Sequence, residues 1–177
     1  MWQAEIAGGT VTPRNESPSK GHRLREFELV SATGRTIHLS DFRGRANLVV
    51  IVDDGQSESA KLISDAATQY PKIKDECAEV LAIVRMPRDQ AAQMMQRLKL
   101  SFPVLVDEDG GIHRELGAVN AEGHDSAAVY ITDQFGEVFA VYRTREGQSL
   151  PNIADILNWL EFVNAQCPEC EAPEWPI

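Results

Sequence analysis

The sequence has little positive charge. Its 177 residues include 17 Lys and Arg against 27 Asp and Glu, which gives a net charge of −10. Proteins that bind nucleic acids draw most of their affinity from basic side chains that neutralise phosphates, so this balance argues against a nucleic-acid partner. The same surplus of acid disfavours binding to an anionic membrane surface.

Long apolar runs are also lacking. The longest, from Ala46 to Val52, is far shorter than the roughly 20 residues that a membrane-spanning helix needs. The first residues show no basic leader followed by an apolar stretch, so we expect a cytoplasmic protein. Three cysteines are too few for a disulfide framework there, and such thiols are usually reduced unless they are catalytic, sensing or metal-bound.

The apolar content of 43% is enough for one hydrophobic core in a chain of this length. Residues 1–20 hold Gly, Pro, Ser and Thr with few apolar side chains, and we predict a flexible N-terminal tail there. We predict one folded domain over residues 21–166. Residues 167–177 form a second predicted tail, which carries a Cys-x-x-Cys sequence.

Hydrophobic periodicity predicts alternating strands and helices. Two short strands at residues 25–39 form a hairpin, and two β-branched apolar runs at residues 48–52 and 80–84 are predicted as central strands covered on both faces. A helix from about Ser57 to Glu76 separates them, and Pro71 is expected to kink or split it. A second hairpin and a last helix follow. Right-handed crossovers then give an α/β fold, a three-layer α/β/α sandwich.

Four segments carry a resemblance to a known family. They are the Gly21–Leu29 stretch, the sequence Leu39-Ser40-Asp41-Phe42-Arg43-Gly44 before an apolar strand, the Phe102–Asp107 strand, and Tyr130-Ile131-Thr132-Asp133 with Gly136. In this order and spacing they resemble the alkyl hydroperoxide reductase/thiol-specific antioxidant family, the peroxiredoxins. The resemblance implies a thioredoxin-like fold with a central mixed sheet and an N-terminal β-hairpin, and a thiol-dependent antioxidant or oxidoreductase activity.

The catalytic motif departs from the family pattern. In the family a Thr-x-x-Cys lies in the first turn of the helix after the central strand, where the helix N-terminus and an arginine of the final hairpin lower the pKa of the cysteine. Here Ser57 takes the place of the threonine, Ala60 that of the cysteine and Ala127 that of the arginine. We therefore predict a degenerate peroxidatic site that does not reduce peroxide.

Cys167 and Cys170 are the remaining candidates for redox chemistry, because a Cys-x-x-Cys pair can cycle between dithiol and disulfide. Their position after a helix C-terminus disfavours the thiolate. Two alternatives stay open at this point. In the first, the pair is half of a zinc site, and the missing ligands come from Cys77, His113, His124 or a second chain. In the second, the pair anchors the tail as two reduced thiols.

Other single residues are given structural interpretations. Cys77 falls on the inward stripe of its helix and is predicted as a buried, inert thiol. His113 and His124 are predicted in surface segments and not as ligands. The Asp53-Asp54 pair is expected to be a solvated turn and helix cap. We predict neither a cofactor site nor a metal site among these residues.

The sequence thus predicts a redoxin that is inactive at the usual site and whose redox chemistry, where present, lies at Cys167 and Cys170. The alternative is a non-catalytic thioredoxin-fold protein used for dimerisation or for binding a partner. We expect a homodimer and a thiol reductant or protein partner.

Overall fold

The computed structural model describes residues 17–166. Its seven strands are β1 (Glu28–Ser31), β2 (Thr36–His38), β3 (Asn47–Val52), β4 (Ala78–Val84), β5 (Val104–Val106), β6 (Ala128–Thr132) and β7 (Val138–Arg143). Its four α-helices are α1 (Ser57–Asp75), α2 (Arg88–Arg97), α3 (Gly111–Glu115) and α4 (Ile153–Gln166). Residues 39–42 and 144–146 form short 3₁₀ helices.

All seven strands form one mixed sheet in the order β2-β1-β5-β4-β3-β6-β7. The central strands β3, β4 and β5 are parallel, and the hairpins β1–β2 and β6–β7 are antiparallel and close the two sides. The predicted α/β fold, the mixed sheet and the N-terminal hairpin are confirmed. No helix within residues 17–166 is both long enough and apolar enough to cross a bilayer.

The strand β3 is the centre of the core because both of its faces are covered. All six of its residues are buried, as the uninterrupted β-branched run predicts. One face packs against α1, α2 and α4 through Ile63, Ala91 and Leu160. The opposite face packs against the chain before β1 and against α3, and its core includes Phe27, Leu116 and Tyr130.

The helix α1 runs through Pro71 without a break, so the predicted split of the helix is wrong. Proline removes one backbone hydrogen bond, but the last turn stays in place because Ile73 is fully buried against the sheet. Packing of the apolar face therefore outweighs the local preference of this residue.

Replacing Pro71 by alanine is expected to raise the free energy of unfolding by about 1–2 kcal/mol, since alanine restores the helical hydrogen bond and proline's stiffening of the unfolded chain offsets only part of that gain. Urea denaturation measures the change. The matched control is Lys72→Ala at the next exposed position, expected within about 0.5 kcal/mol of wild type. A Pro71→Ala protein no more stable than wild type would contradict this estimate.

Candidate functional site

The candidate site lies at the edge of the sheet where the parallel strands end. Asp53 follows β3, Arg85 follows β4 and Asp107 follows β5. Parallel pairing brings these three residues to the same edge. In open α/β sheets this carboxyl edge is where ligands bind, so the groups gathered here define what the molecule can do.

The first turn of α1 opens at this edge. Ser57 is its first residue and is exposed, and Ala60, which is also exposed, donates its backbone N–H to the Gln56 carbonyl at 3.1 Å. The side chain that points into the protein from this turn is Ser59, which is fully buried. The positions where the family pattern expects a threonine and a cysteine therefore lie at the helix start and face solvent.

The Ser59 hydroxyl lies between two carboxyl groups. Its Oγ is 2.6 Å from Oδ1 of Asp53 and 2.7 Å from Oδ1 of Asp54, and the Gln56 carbonyl oxygen is 3.2 Å away. A hydroxyl has one hydrogen to donate, so two close carboxyl oxygens are satisfied together when one of the carboxyls holds a proton. Burial raises the pKa of Asp53 above its usual 3.8, although the hydrogen bond from Ser59 opposes the shift.

Asp53 was predicted as part of a solvated turn, and that interpretation is wrong for this residue. Only 6% of Asp53 is exposed, because its side chain turns inward to Ser59 instead of outward to water. Asp54 is half-buried and caps the turn, since it accepts the backbone N–H of Gln56 at 3.0 Å. Two carboxyl groups at this helix start make a poor environment for a second anion such as a thiolate.

A buried histidine lies behind this turn. His113 is fully buried on α3, and its Nδ1 is 2.6 Å from Oδ2 of Asp107. The same carboxylate accepts the backbone N–H groups of Ile112 and His113 at 3.2 and 2.8 Å. The predicted surface position of His113 is therefore wrong. The single turn of α3 is short and polar, so its sequence gives no periodic signal that its third residue points inward.

Both ring nitrogens of His113 face hydrogen-bond acceptors. Nε2 lies 3.0 Å from the backbone carbonyl oxygen of Asp53, which can only accept. Nδ1 faces a carboxylate, so the geometry favours a doubly protonated, positively charged ring that donates from both nitrogens. Burial lowers the pKa of His113, but the hydrogen bonds to Asp107 and Asp53 outweigh it and raise the pKa above 6.5. Burial likewise raises the pKa of Asp107, and the hydrogen bonds from His113 reverse this and lower it to about 2.

These bonds connect the ends of β3 and β5 with α3 and the start of α1 in one network. The ring of His113 is hydrogen-bonded to the Asp107 carboxylate and to the backbone carbonyl of Asp53. The Asp53 side chain is hydrogen-bonded in turn to Ser59 at the start of α1. The network fixes the turn between β3 and α1. With both of its nitrogens occupied, His113 is not available as a metal ligand.

The arginine nearest the expected family position does not replace the missing one. Ala127 is buried at the start of β6. Arg143 of β7 is buried too, but its Nη2 and Nε donate to the Tyr130 hydroxyl at 2.9 and 3.2 Å. Tyr130 belongs to the core on the face opposite α1. Arg143 therefore points away from the start of α1.

Arg85 supplies a further cation at this edge, and it is paired. Its Nη1 donates to Oδ1 of Asp125 at 2.7 Å. Gly110 has a φ of +70°, a left-handed conformation that favours glycine, and the Arg85 guanidinium carbon lies 2.9 Å from where a Cβ would be. The positive charge of Arg85 is thus paired with Asp125 in the loop before β6.

The prediction that Cys77 is a buried thiol is wrong, because Cys77 is exposed. The helix α1 ends at Asp75 and is capped by Glu76, and Cys77 adopts a left-handed conformation with a φ of +53°. The sequence continues the apolar stripe of α1 through Cys77, but the helix stops before reaching it. Cys77 is 17 positions after Ala60 and α1 covers most of that interval, so the two residues are roughly 25 Å apart along the helix axis.

Cys167 and Cys170 lie outside the described residues, as do both predicted tails apart from residues 17–20. His124 is exposed, as predicted. Within residues 17–166 no three His, Cys, Asp or Glu side chains come together in a way that would hold a metal ion.

The fold and the strand-edge site define an α/β protein of the thioredoxin-like class, and comparison with solved structures agrees. The chain matches peroxidoxin BcpB from Mycobacterium tuberculosis with a TM-score of 0.71 and 18% identity, over 83% of this chain and 97% of that one. It matches AhpC from Mycobacterium bovis with a TM-score of 0.70 and 22% identity, over 91% and 99%. It matches a cysteine-to-serine mutant of PrxQ from Xylella fastidiosa with a TM-score of 0.70 and 14% identity, over 85% and 98%.

The particular family follows from the sequence. The model of the AhpC/TSA family matches residues 20–141, more than two thirds of the chain, so the protein belongs to the AhpC/TSA family. This is the family of peroxiredoxins and redoxins, which are thiol-dependent antioxidants. None of the curated proteins compared by sequence matches the chain.

Proposed function

We propose that this protein is a redoxin that does not reduce peroxide at the start of α1 and whose thiol chemistry is carried by Cys167 and Cys170. The observation that carries the proposal is the Ser59 hydroxyl between Asp53 and Asp54, in the turn where the family places its reactive sulfur. Peroxide reduction needs a thiolate, and this turn holds a hydroxyl and two carboxyl groups instead.

The surroundings of this turn support the proposal in two ways. The helix dipole that would stabilise a thiolate here already acts on the Asp53 and Asp54 carboxyls. The buried arginine of the hairpin, Arg143, is bound to Tyr130 on the other face of the sheet. The side chain at position 59 therefore meets two carboxyl groups, while the Arg143 guanidinium is bonded to Tyr130.

Cys167 and Cys170 are the thiols suited to cycling, because a Cys-x-x-Cys pair closes a small disulfide ring without a second chain. A thiol reductant would reopen it, and a homodimer remains our expectation for the assembly. Acidic residues in the same tail, Glu169 and Glu171, raise the cost of a thiolate, so we expect slow turnover with small disulfides and not the rate of a dedicated oxidoreductase.

The experiment compares two substrates, hydrogen peroxide and glutathione disulfide, with dithiothreitol as reductant. Wild type is expected to reduce the disulfide catalytically and to consume peroxide no faster than the reductant alone. The Cys167→Ser/Cys170→Ser variant is expected to lose disulfide turnover by at least about 100-fold, because the thiolate is the nucleophile. Circular dichroism and a thermal melt show that the variant is folded.

Peroxide turnover that survives in the Cys167→Ser/Cys170→Ser variant would contradict the proposal. If wild type turns over neither hydrogen peroxide nor glutathione disulfide, the double substitution changes neither rate. That outcome would favour the non-catalytic alternative of a dimerisation or binding protein. Zinc bound at one ion per chain and released by the double variant would favour the zinc half-site.

A further inference from the structure

A second concave surface lies where the turn between β1 and β2 meets the end of α2 and the segment that leads into β5. Two adjoining cavities of about 590 and 180 Å³ form it, and we call them together the hairpin groove. The residues that line both cavities are Ala32, Thr33, Met95 and Ser101. Asp107 follows β5 at the candidate site, whereas Ser101 precedes β5, so the groove lies at the opposite edge of the sheet. The larger cavity has the volume of a small-molecule site.

The hairpin groove carries positive charge in a chain whose net charge is −10. Arg35 lines one cavity and Lys99 lines the other, and none of the described residues around them is Asp or Glu. Among residues 17–166 neither of these two side chains forms an ion pair. The acidic residue of α2, Asp89, is in the first turn of the helix, roughly 15 Å from Lys99 along the axis. An anion in the groove would therefore meet two cations that no carboxylate neutralises.

The backbone places Lys99 at an unusual helix end. The helix α2 is capped at Leu98, and Lys99 follows with a φ of +52°, a left-handed conformation that glycine adopts most easily. The N–H of Leu100 donates to the Met95 carbonyl at 3.0 Å and that of Lys99 to the Gln96 carbonyl at 3.2 Å, the bonding pattern of a Schellman motif. A lysine thus occupies a position where glycine would be less strained, and it borders the groove.

Hydroxyl and apolar groups complete the groove. Thr33 and Ser101 are exposed and line both cavities, so their hydroxyls are placed to donate to a ligand oxygen. The Thr33 hydroxyl lies 2.9 Å from that of Ser31, and when Ser31 is the donor the hydrogen of Thr33 is free for a ligand. Met95 and Ile37 are half-buried and supply apolar surface. This combination suits a molecule with an anionic group and an apolar part.

We propose that the hairpin groove binds a small organic anion, with its carboxylate or phosphate group at Arg35 and Lys99 and its apolar chain on Met95. A guanidinium offers paired N–H donors and an ammonium offers a compact charge, and both bind either kind of anion. The inference is independent of the proposed function, because the groove contains no cysteine and lies at the other edge of the sheet from the start of α1.

The test titrates hexyl phosphate, hexanoate and hexanol into the isotopically labelled full-length protein at constant ionic strength and follows the backbone amide NMR signals. The three compounds share one alkyl chain and differ in the head group. We expect saturable shifts at Thr33, Lys99 and Ser101 with at least one of the anions. Hexanol should bind at least about tenfold more weakly, because it cannot form the charge-assisted hydrogen bonds. The tighter anion of the two identifies the head group.

Two variants remove the cations one at a time. Lys99→Gly and Arg35→Gln are each expected to weaken binding of the anion at least about tenfold. Lys99→Gly should not lower the thermal midpoint, since glycine relieves the left-handed backbone, so weaker binding would not come from unfolding. The matched control, Arg97→Gln, removes the same charge from the last turn of α2 outside the groove and should bind within about twofold of wild type, because salt screens a charge that does not touch the ligand.

Three results would overturn the inference. The first is the absence of saturable shifts at the groove with either anion up to about 10 mM. The second is hexanol binding as tightly as the anions. The third is a loss of affinity in Arg97→Gln as large as in Lys99→Gly, which would mean that the anion responds to the net charge of the protein and not to this site.

Discussion

Replacing His113 by alanine is expected to lower the free energy of unfolding by about 3–5 kcal/mol, the usual cost of removing one partner of a buried ion pair. The substitution leaves Asp107 buried without the ring that is 2.6 Å from its carboxylate. It also removes the hydrogen bond to the Asp53 carbonyl, so the turn between β3 and α1 is no longer bonded to α3. Urea denaturation at about pH 5, between the ordinary pKa values of the two groups, gives the largest difference.

The pH dependence of this difference follows from the two pKa shifts. The pKa of Asp107 is lowered from 3.8 to about 2, so its contribution is present above about pH 4 and is lost as the pH falls towards 2. The pKa of His113 is raised above 6.5, so its contribution is present below 6.5 and is lost as the pH rises through the raised value. The gap in stability between wild type and His113→Ala should therefore be largest from about pH 4 to 6.5.

The matched control is His124→Ala. This histidine is exposed on a nearby loop, and its replacement is expected to change the free energy of unfolding by less than about 0.5 kcal/mol at any of these pH values. A His113→Ala protein as stable as the control, or a gap that stays constant from about pH 3 to 8, would show that the ring is not held as a charged partner of Asp107.

Replacing Arg143 by alanine is expected to lower the free energy of unfolding by about 2–4 kcal/mol, because several buried hydrogen bonds to a charged group are lost together. The guanidinium donates to the Tyr130 hydroxyl, to the Pro18 carbonyl and to the Glu146 carboxylate, and it lies 5.4 Å from the centre of the Tyr130 ring. It therefore ties the segment before β1 to the core.

The same variant separates a structural arginine from an activating one. Disulfide turnover per folded molecule should not change, since the proposed function assigns it to Cys167 and Cys170 and the side-chain bonds of Arg143 are to Tyr130, Glu146 and Pro18. The control is Arg145→Ala: its side chain is 31% exposed and lies 3.5 Å from the same glutamate, so the expected cost is below about 1 kcal/mol. A fall in disulfide turnover per folded molecule in Arg143→Ala would contradict this assignment.

The parts of the fold that the sequence predicts are those where one physical signal dominates. The β3 and β4 runs are apolar on both faces and can only be covered strands, and the stripe of Ile156, Leu160 and Val163 on α4 has one face to bury. Both hairpins follow from turns that contain a glycine at positive φ, Gly34 and Gly136. These features are local, and the sequence shows them directly.

The candidate site and the junction between the ends of α1 and α4 are harder to predict because their contacts join distant segments. His113 bonds to Asp53 across sixty positions of sequence, and Asn164 bonds to Glu76 across 88. Neither pairing leaves a periodic pattern. The burial of His113 depends on the short α3, and the exposure of Cys77 depends on α1 ending at Asp75 although the apolar stripe continues. The sequence alone shows that position 60 carries no thiol. The two carboxyl groups around Ser59 are seen only in the folded structure.

The most direct measurement is the second-order rate constant for the reaction of fully reduced wild-type protein with hydrogen peroxide, taken beside free cysteine at the same pH. With Ser59 and Ala60 at the start of α1, the protein should react no faster per thiol than free cysteine. A rate constant orders of magnitude above that of free cysteine would contradict the proposal that peroxide is not reduced at this turn.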